Sequence, residues 1–262
     1  MSDLHIYLSP HADDVALSCG GQIFDQTQQG AAALVITFFA ATPPPMAFSE
    51  FAEGQHAKWQ TQHDAMAERR AEDRAAYAVV GAEPLYLDYL DCIYRLHPQT
   101  GAPMYASEEG IFGEIDPAEA TWYEALAERT AEIAGPPRSD LTLYAPLMVG
   151  HHVDHQLIWR AAHALLPYGY RLMLYEDHPY ALRPGMLDAA LAKQSLLQPE
   201  IVHISDAAMD ARIAAIACYR SQIKTLFGDL ATMESQVRAY CQALAGGVGY
   251  AERYWRPAKD GA

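Results

Sequence analysis

Apolar residues along this chain fall alternately into short unbroken blocks and into helical spacings. His5 to Leu8 is a short apolar run closed by Ser9-Pro10, which predicts a first strand opening onto a turn. Val15 to Phe24 follows with a helical pattern that carries Gly20-Gly21 inside it; glycines there cost helix propensity, so close packing against a strand is expected to compensate. Ala31 to Phe39 reads as a fully buried second strand, broken by Thr42-Pro-Pro-Pro45. A helix is predicted from about Gln62 to Val80, with Ala71, Ala75, Ala78 and Val79 on one face and Gly81 as its stop. Pro84 to Asp88 reads as a third strand, and 94–117 as loop.

The second half repeats the alternation. A helix over Ala118–Ala134 ends at Gly135-Pro-Pro137, and a fourth strand over Leu141–Ala145 leads into Pro146-Leu-Met-Val-Gly150. A helix over Val153–Leu166, a strand over Arg171–Tyr175 and a late helix from Ser205 to about Phe227 complete the set, with Ser205 or Asp206 as the cap of the last. Strands alternating with helices predict an α/β protein, a Rossmann-like three-layer sandwich around a mostly parallel sheet. No linker or repeat divides the chain, so residues 1–262 read as one domain. In such sheets ligands sit beyond the carboxyl ends of the strands, which directs attention to the strand-to-helix turns.

Charge narrows the function classes. The chain has 18 Lys plus Arg against 33 Asp plus Glu, a formal net charge of −15, and its densest basic cluster (Arg69, Arg70, Arg74) is interleaved with acids. Nucleic acid and anionic membranes are therefore disfavoured as partners. No export signal or 20-residue apolar run is visible, and Cys19, Cys92, Cys218 and Cys241 are scattered, so a cytoplasmic protein with reduced thiols is expected.

Two turns hold the chemistry. Ser9-Pro10-His11-Ala12-Asp13-Asp14 follows the first strand, and Gly150-His151-His152-Val153-Asp154-His155 follows the fourth. Together they bring histidines and carboxylates suited to a divalent transition metal, zinc first. His11 and Asp14 are three residues apart, within reach of one ion, and Asp13 then points elsewhere. His152 and His155 repeat the spacing at a helix start. A catalytic zinc keeps an open position beside three protein ligands, which leaves further acid–base groups of the two turns for hydrolysis.

Pro10-His-Ala-Asp-Asp14 with Gly20-Gly21 behind it, then Gly150-His-His-Val-Asp-His155, resembles the PIG-L/LmbE-like zinc-dependent de-N-acetylases. Arg69 with Glu72 before an Ala-rich helix, and Tyr219-Arg-Ser-Gln222, extend the likeness along most of the chain. The resemblance implies a Rossmann-like hydrolase that removes the acetyl group of an N-acetylglucosamine-type amino sugar or glycoconjugate. It implies zinc held by His11, Asp14 and His155, with Asp13 as general base. His152 then polarises the carbonyl or protonates the amine, its ring held by Asp154, whose charge would raise the histidine's pKa. Ala12 and Val15 depart from the Pro and Glu usual in the family, which bears on substrate rather than mechanism.

Other residues are open to two readings. Arg69 is either a substrate contact or the partner of Glu72 in an i, i+3 ion pair. Glu176, Asp177 and His178 either bind sugar hydroxyls or form a polar loop. The aromatic stretch 43–60, with Phe48, Phe51, His56 and Trp59, is a lid over a sugar ring, packing under a loop, or a contact in a homo-oligomer. His151 reads as a loop residue. The competing function is a sugar- or nucleotide-binding module with a structural metal. It lacks a G-x-G-x-x-G phosphate loop and would need a fourth protein ligand.

Overall fold

The computed structural model describes residues 3–59, 64–194 and 196–258. Its strands and helices run β1 (Leu4–Ser9), α1 (Asp14–Gln28), β2 (Ala32–Thr37), α2 (Glu50–Trp59), α3 (Ala65–Val80), β3 (Glu83–Tyr86) and the single turn α4 (Glu108–Ile111). They continue with α5 (Trp122–Ala134), β4 (Leu141–Pro146), α6 (Val153–Ala164), β5 (Arg171–Tyr175), α7 (Met186–Leu191), β6 (Leu197–Ile204), α8 (Asp206–Ile216), α9 (Arg220–Leu226), α10 (Leu230–Leu244) and β7 (Tyr250–Pro257).

The strands form one sheet in the order β3-β2-β1-β4-β5-β7-β6. The first five are mutually parallel, and β7 runs antiparallel between β5 and β6. The period of two along β1 divides the core between the layers. Ile6 and Leu8 face Leu157 and Ile158 of α6, whereas Tyr7 faces Val15 and Cys19 of α1. Helices α1, α3 and α8 pack together on the second face and α5 with α6 on the first. This is the expected mostly parallel α/β sandwich. The order reverses between β1 and β4, so the crevice for a ligand opens beyond the ends of those two strands.

Several local expectations change. The predicted start of α3 at Gln62 lies outside the described residues; its stop at Gly81 is left-handed, φ 78°, as that residue permits. The late helix breaks between Ile216 and Arg220, where Tyr219 turns inward to donate its hydroxyl to Asp73 at 2.6 Å. Helices α2, α7 and α10 and strands β6 and β7 lie outside the predicted elements. Strand β6 shows why: it is an edge strand with most positions exposed and Pro199 inside it, so it carries no apolar alternation. The glycines of α1 are packed closely, Gly21 against strands β6 and β7 as expected and Gly20 against helix α8 instead. A Cβ on Gly20 would meet the Arg212 side chain of α8 at 3.1 Å, and one on Gly21 would meet Ile204 and Glu252 at 2.5 and 2.8 Å.

Among the described residues no helix is long and apolar enough to cross a membrane. All four cysteines are free thiols.

Candidate metal centre and active site

The turn after β1 is built from its own polar groups. Ser9 Oγ donates to the His11 carbonyl at 2.6 Å, and the His11 N–H donates to Asp14 Oδ2 at 2.8 Å. Asp13 occupies the position before α1 with φ 117°, a conformation that favours glycine, and its side chain does not cap the helix. Strain of this kind persists only where surrounding contacts enforce it. Here Arg69 of α3 enforces it, donating to the Ala12 carbonyl at 2.8 Å and reaching Asp13 Oδ1 at 3.4 Å.

The turn after β4 is equally constrained. Met148, Gly150 and His151 all have positive φ, and a Cβ on Gly150 would strike the Tyr180 ring at 2.8 Å, so only glycine fits. His152 caps α6 by accepting the Asp154 N–H on Nδ1 at 3.2 Å. His155 falls one turn further, facing the first turn.

The two turns converge. Asp14 Oδ2 lies 3.3 Å from His11 Nδ1 and 3.3 Å from His155 Nε2. Zinc–ligand bonds of about 2.0–2.1 Å at tetrahedral angles set neighbouring donor atoms about 3.3–3.4 Å apart, the spacing that Asp14 keeps from each histidine. The other nitrogen of each ring faces a carboxylate. His11 Nε2 is 2.9 Å from Asp154 Oδ2, and His155 Nδ1 is 2.6 Å from Asp177 Oδ1. That pairing fixes which nitrogen is left for a metal and raises its basicity. His152 completes a set of three ring nitrogens within 4.8 Å of one another.

The electrostatics ask for a cation. Burial alone would push the His11 and His155 pKa values down; instead Asp91, Asp14 and Asp154 hold His11 well up, and Asp14 and Asp177 hold His155 up at about 10. Burial opposes charge on Asp14 too, yet His155 and His11 keep it well below the usual carboxylate range. Asp13 differs: burial raises it to about 7 against the pull of Arg69. His152 is driven well below its ordinary value by burial and then by His11. Its ring is therefore neutral, and with Nδ1 accepting the Asp154 N–H its proton sits on Nε2.

Four sequence assignments change. The Asp154 carboxylate holds His11 and Arg95, the latter at 2.6 Å, rather than the His152 ring, which takes only the Asp154 backbone N–H; its charge pulls the His152 pKa up as expected, but burial and His11 outweigh it. Asp177 is no sugar contact: its oxygens accept from His155 and from the Val149 N–H at 2.9 Å. Glu176 is committed to Trp255, Arg253 and Tyr240 on the β7–α10 side. Arg69 pairs with Asp13 rather than Glu72, which instead receives Ser221; its buried guanidinium also lies 3.9 Å from Asp91 and keeps its Nε without a hydrogen-bond partner among the described residues.

His151 is the loop residue expected, its Nδ1 on the Gly113 carbonyl at 3.0 Å. His56 and Trp59 of the aromatic stretch stack at 5.6 Å, and Trp59 lies under Arg69, 4.9 Å from ring to guanidinium. The residues that sequence reasoning missed are Asp91, Cys92, Arg95 and Glu119, which lie before, within and just after the segment read as loop. Asp91 Oδ2 is 3.8 Å from His11 Nε2, and Arg95 bridges Asp154 and Glu119. No spacing in the sequence marks them.

Fold and site together define an α/β protein in which histidines and carboxylates from two strand-end turns form a buried cluster that could hold a metal ion. The model of the PIG-L family, GlcNAc-PI de-N-acetylase, matches residues 6–166, and the chain belongs to this family of amide-cleaving deacetylases. It is 26% identical over 246 residues to the 2'-N-acetylparomamine deacetylase of Niallia circulans, covering 86% of this chain and 82% of that protein. The enzyme of the same name from Streptomyces fradiae is 31% identical over 195 residues, 73% and 61% of the respective chains. Among solved structures, the zinc-inhibited form of teicoplanin deacetylase Orf2 superposes with a TM-score of 0.84 at 26% identity, covering 99% of this chain and 100% of that one.

Proposed function

We propose that this chain hydrolyses the N-acetyl group of an N-acetylglucosamine-type amino sugar or sugar conjugate, releasing acetate and a free amine. The observation that carries the reading is Asp14 Oδ2 placed 3.3 Å from a nitrogen of both His11 and His155, each ring backed by a carboxylate. His11, Asp14 and His155 would hold the metal, zinc or another divalent ion that accepts imidazole and carboxylate. Such an ion, when bound, polarises the amide carbonyl and lowers the pKa of bound water.

The rest is done by side chains. Asp13, off the ligand set and gripped by Arg69, takes the proton of the attacking water and returns it to the leaving nitrogen. His152 faces the site from the opposite turn and donates its Nε2–H to the oxygen on which charge develops. The free thiols and the acidic surface support a small-molecule substrate in a reducing, cytoplasmic setting.

Acetate release by the metal-loaded protein from N-acetylglucosamine, 2'-N-acetylparomamine and an N-acetylglucosaminyl glycopeptide tests the activity, with longer acyl amides alongside to rank the acyl group. Asp13→Asn is expected to lower turnover about 10²- to 10⁴-fold; undiminished turnover overturns the assignment. His152→Ala is expected to lose turnover yet keep its zinc. Loss of the ion in that variant would make His152 a fourth ligand and favour a closed, structural site.

A further inference from the structure

We propose that Arg95 is a positioning residue for the metal centre: it locks the Asp154 carboxylate in the orientation that holds His11 for metal binding. This rests on His11 being a metal ligand, as proposed above. Arg95 follows the short turn Cys92–Tyr94, in a segment without any recognised motif. It is buried, and its NH2 lies 2.6 Å from Asp154 Oδ1 while its Nε lies 2.8 Å from Glu119 Oε1. Neither contact is a linear hydrogen bond, so both act as charge–charge contacts. The opposite oxygen of Asp154 receives His11 Nε2 at 2.9 Å and the Cys92 N–H at 3.2 Å. Each side of the carboxylate is thus committed, and rotation about its last bond would break contacts at both ends.

The guanidinium cannot wander. It sits about equally among Phe39, Tyr105 and Trp122, 5.2 Å from each ring centroid. Glu119 is anchored in turn by the Tyr105 hydroxyl at 2.9 Å. A continuous line of contacts therefore runs His11–Asp154–Arg95–Glu119–Tyr105, from the candidate ligand into the long segment between β3 and α5. Arginine suits this place because two of its nitrogens engage two carboxylates at once. Lysine carries the charge on one atom and reaches only one of them. Removing the cation would leave Asp154, fully buried, without its charge partner, and the carboxylate would no longer be fixed toward His11.

The test is zinc affinity, measured by chelator competition on wild type, Arg95→Lys and Arg95→Met, with the melting temperature of each metal-free protein recorded in parallel. Loss of a carboxylate partner of a ligating histidine weakens metal binding about 10- to 100-fold. The expected order is wild type, then Arg95→Lys, then Arg95→Met, with the last in that range and kcat falling more than KM. A purely structural Arg95 lowers the melting temperature and leaves zinc affinity of the folded protein unchanged; that result overturns the proposal. Should Arg95→Met fail to fold, Glu119→Gln decides. It spares the Asp154 contact but frees the far end of the guanidinium, and is expected to weaken zinc binding about threefold or more; unchanged affinity overturns the proposal equally. His11→Ala tests the ligand assignment separately, because it must lose the ion whatever Arg95 does.

Discussion

Two groups of buried charges occupy this protein, and they are built on opposite principles. One lies within α1 at Gly20-Gly21, where Glu252 of β7 accepts from the N–H groups of Gly21 and Gln22 at 2.9 and 3.0 Å, from Arg212 at 3.0 Å and from the Tyr254 hydroxyl at 2.8 Å. Arg212 also donates to the Leu17 carbonyl and to Cys241 Sγ. One anion meets one cation, every lone pair is answered, and the group is sealed. The other lies beyond the ends of β1 and β4, where Asp13, Asp14, Asp91, Glu119, Asp154 and Asp177 face, among the described residues, only Arg69 and Arg95 as permanent cations. Buried charge is tolerated when paired. A balanced pair is therefore a fastening, whereas an unbalanced cluster around two histidines is a receptacle for positive charge.

The fastening is where stability should respond most. Glu252→Gln leaves Arg212 buried without its anion and is expected to cost about 3–5 kcal/mol in denaturant unfolding. It should leave zinc affinity of the folded protein unchanged. Replacing both partners by apolar residues of similar volume should recover much of that loss. If zinc affinity fell in step with stability, the two groups would not be independent, and the distinction drawn between them would be wrong.

The receptacle should respond in the reverse sense. Asp177→Asn keeps the shape of the side chain but removes the charge behind His155, so zinc affinity is expected to fall about 10- to 100-fold in chelator competition. Unfolding of the metal-free protein should change little or even become harder, because a surplus anion has been removed. A large loss of metal-free stability would show that Asp177 fastens the β5 turn through Val149 instead.

The sequence disclosed these two groups unequally. That His11, Asp13, Asp14, His152 and His155 would meet at one end of the sheet was legible, because both of their turns follow apolar strands of a parallel sheet. Their supports were not legible. Asp177 and Arg69 stood out as residues, yet their roles depend on which side chain lies across the crevice, and that is decided by the sheet order. Arg95 comes from a segment that reads as loop and Glu119 from the start of a predicted helix, and only tertiary contacts make them interior: Phe39, Tyr105 and Trp122 around Arg95, and the Tyr105 hydroxyl on Glu119. Gly20-Gly21 signalled a close approach without naming Arg212, since α8 and β7 are distant in sequence. The parallel strands announced themselves as apolar blocks, whereas the exposed edge strand β6 carries no such pattern.

Between the two groups lies one carboxylate that belongs to neither, and it tests the rule at its smallest scale. Asp73 of α3 is fully buried, with one oxygen accepting the Tyr219 hydroxyl at 2.6 Å and the other without a partner. Burial raises its pKa to about 7, and the Tyr219 hydrogen bond and Arg69 only partly oppose the rise. The folded protein therefore binds a proton that the unfolded chain, titrating near 4, releases earlier. Stability from this group is complete below about pH 4, declines as pH rises toward 7, and stays reduced above it. Asp73→Asn keeps an acceptor for Tyr219 and cannot ionise. Its unfolding free energy, relative to wild type, should therefore improve with pH, by about 2 kcal/mol between pH 5 and pH 7. Parallel stability–pH curves for the two proteins would mean that Asp73 is already answered by a cation, and the receptacle would then extend beyond the two turns.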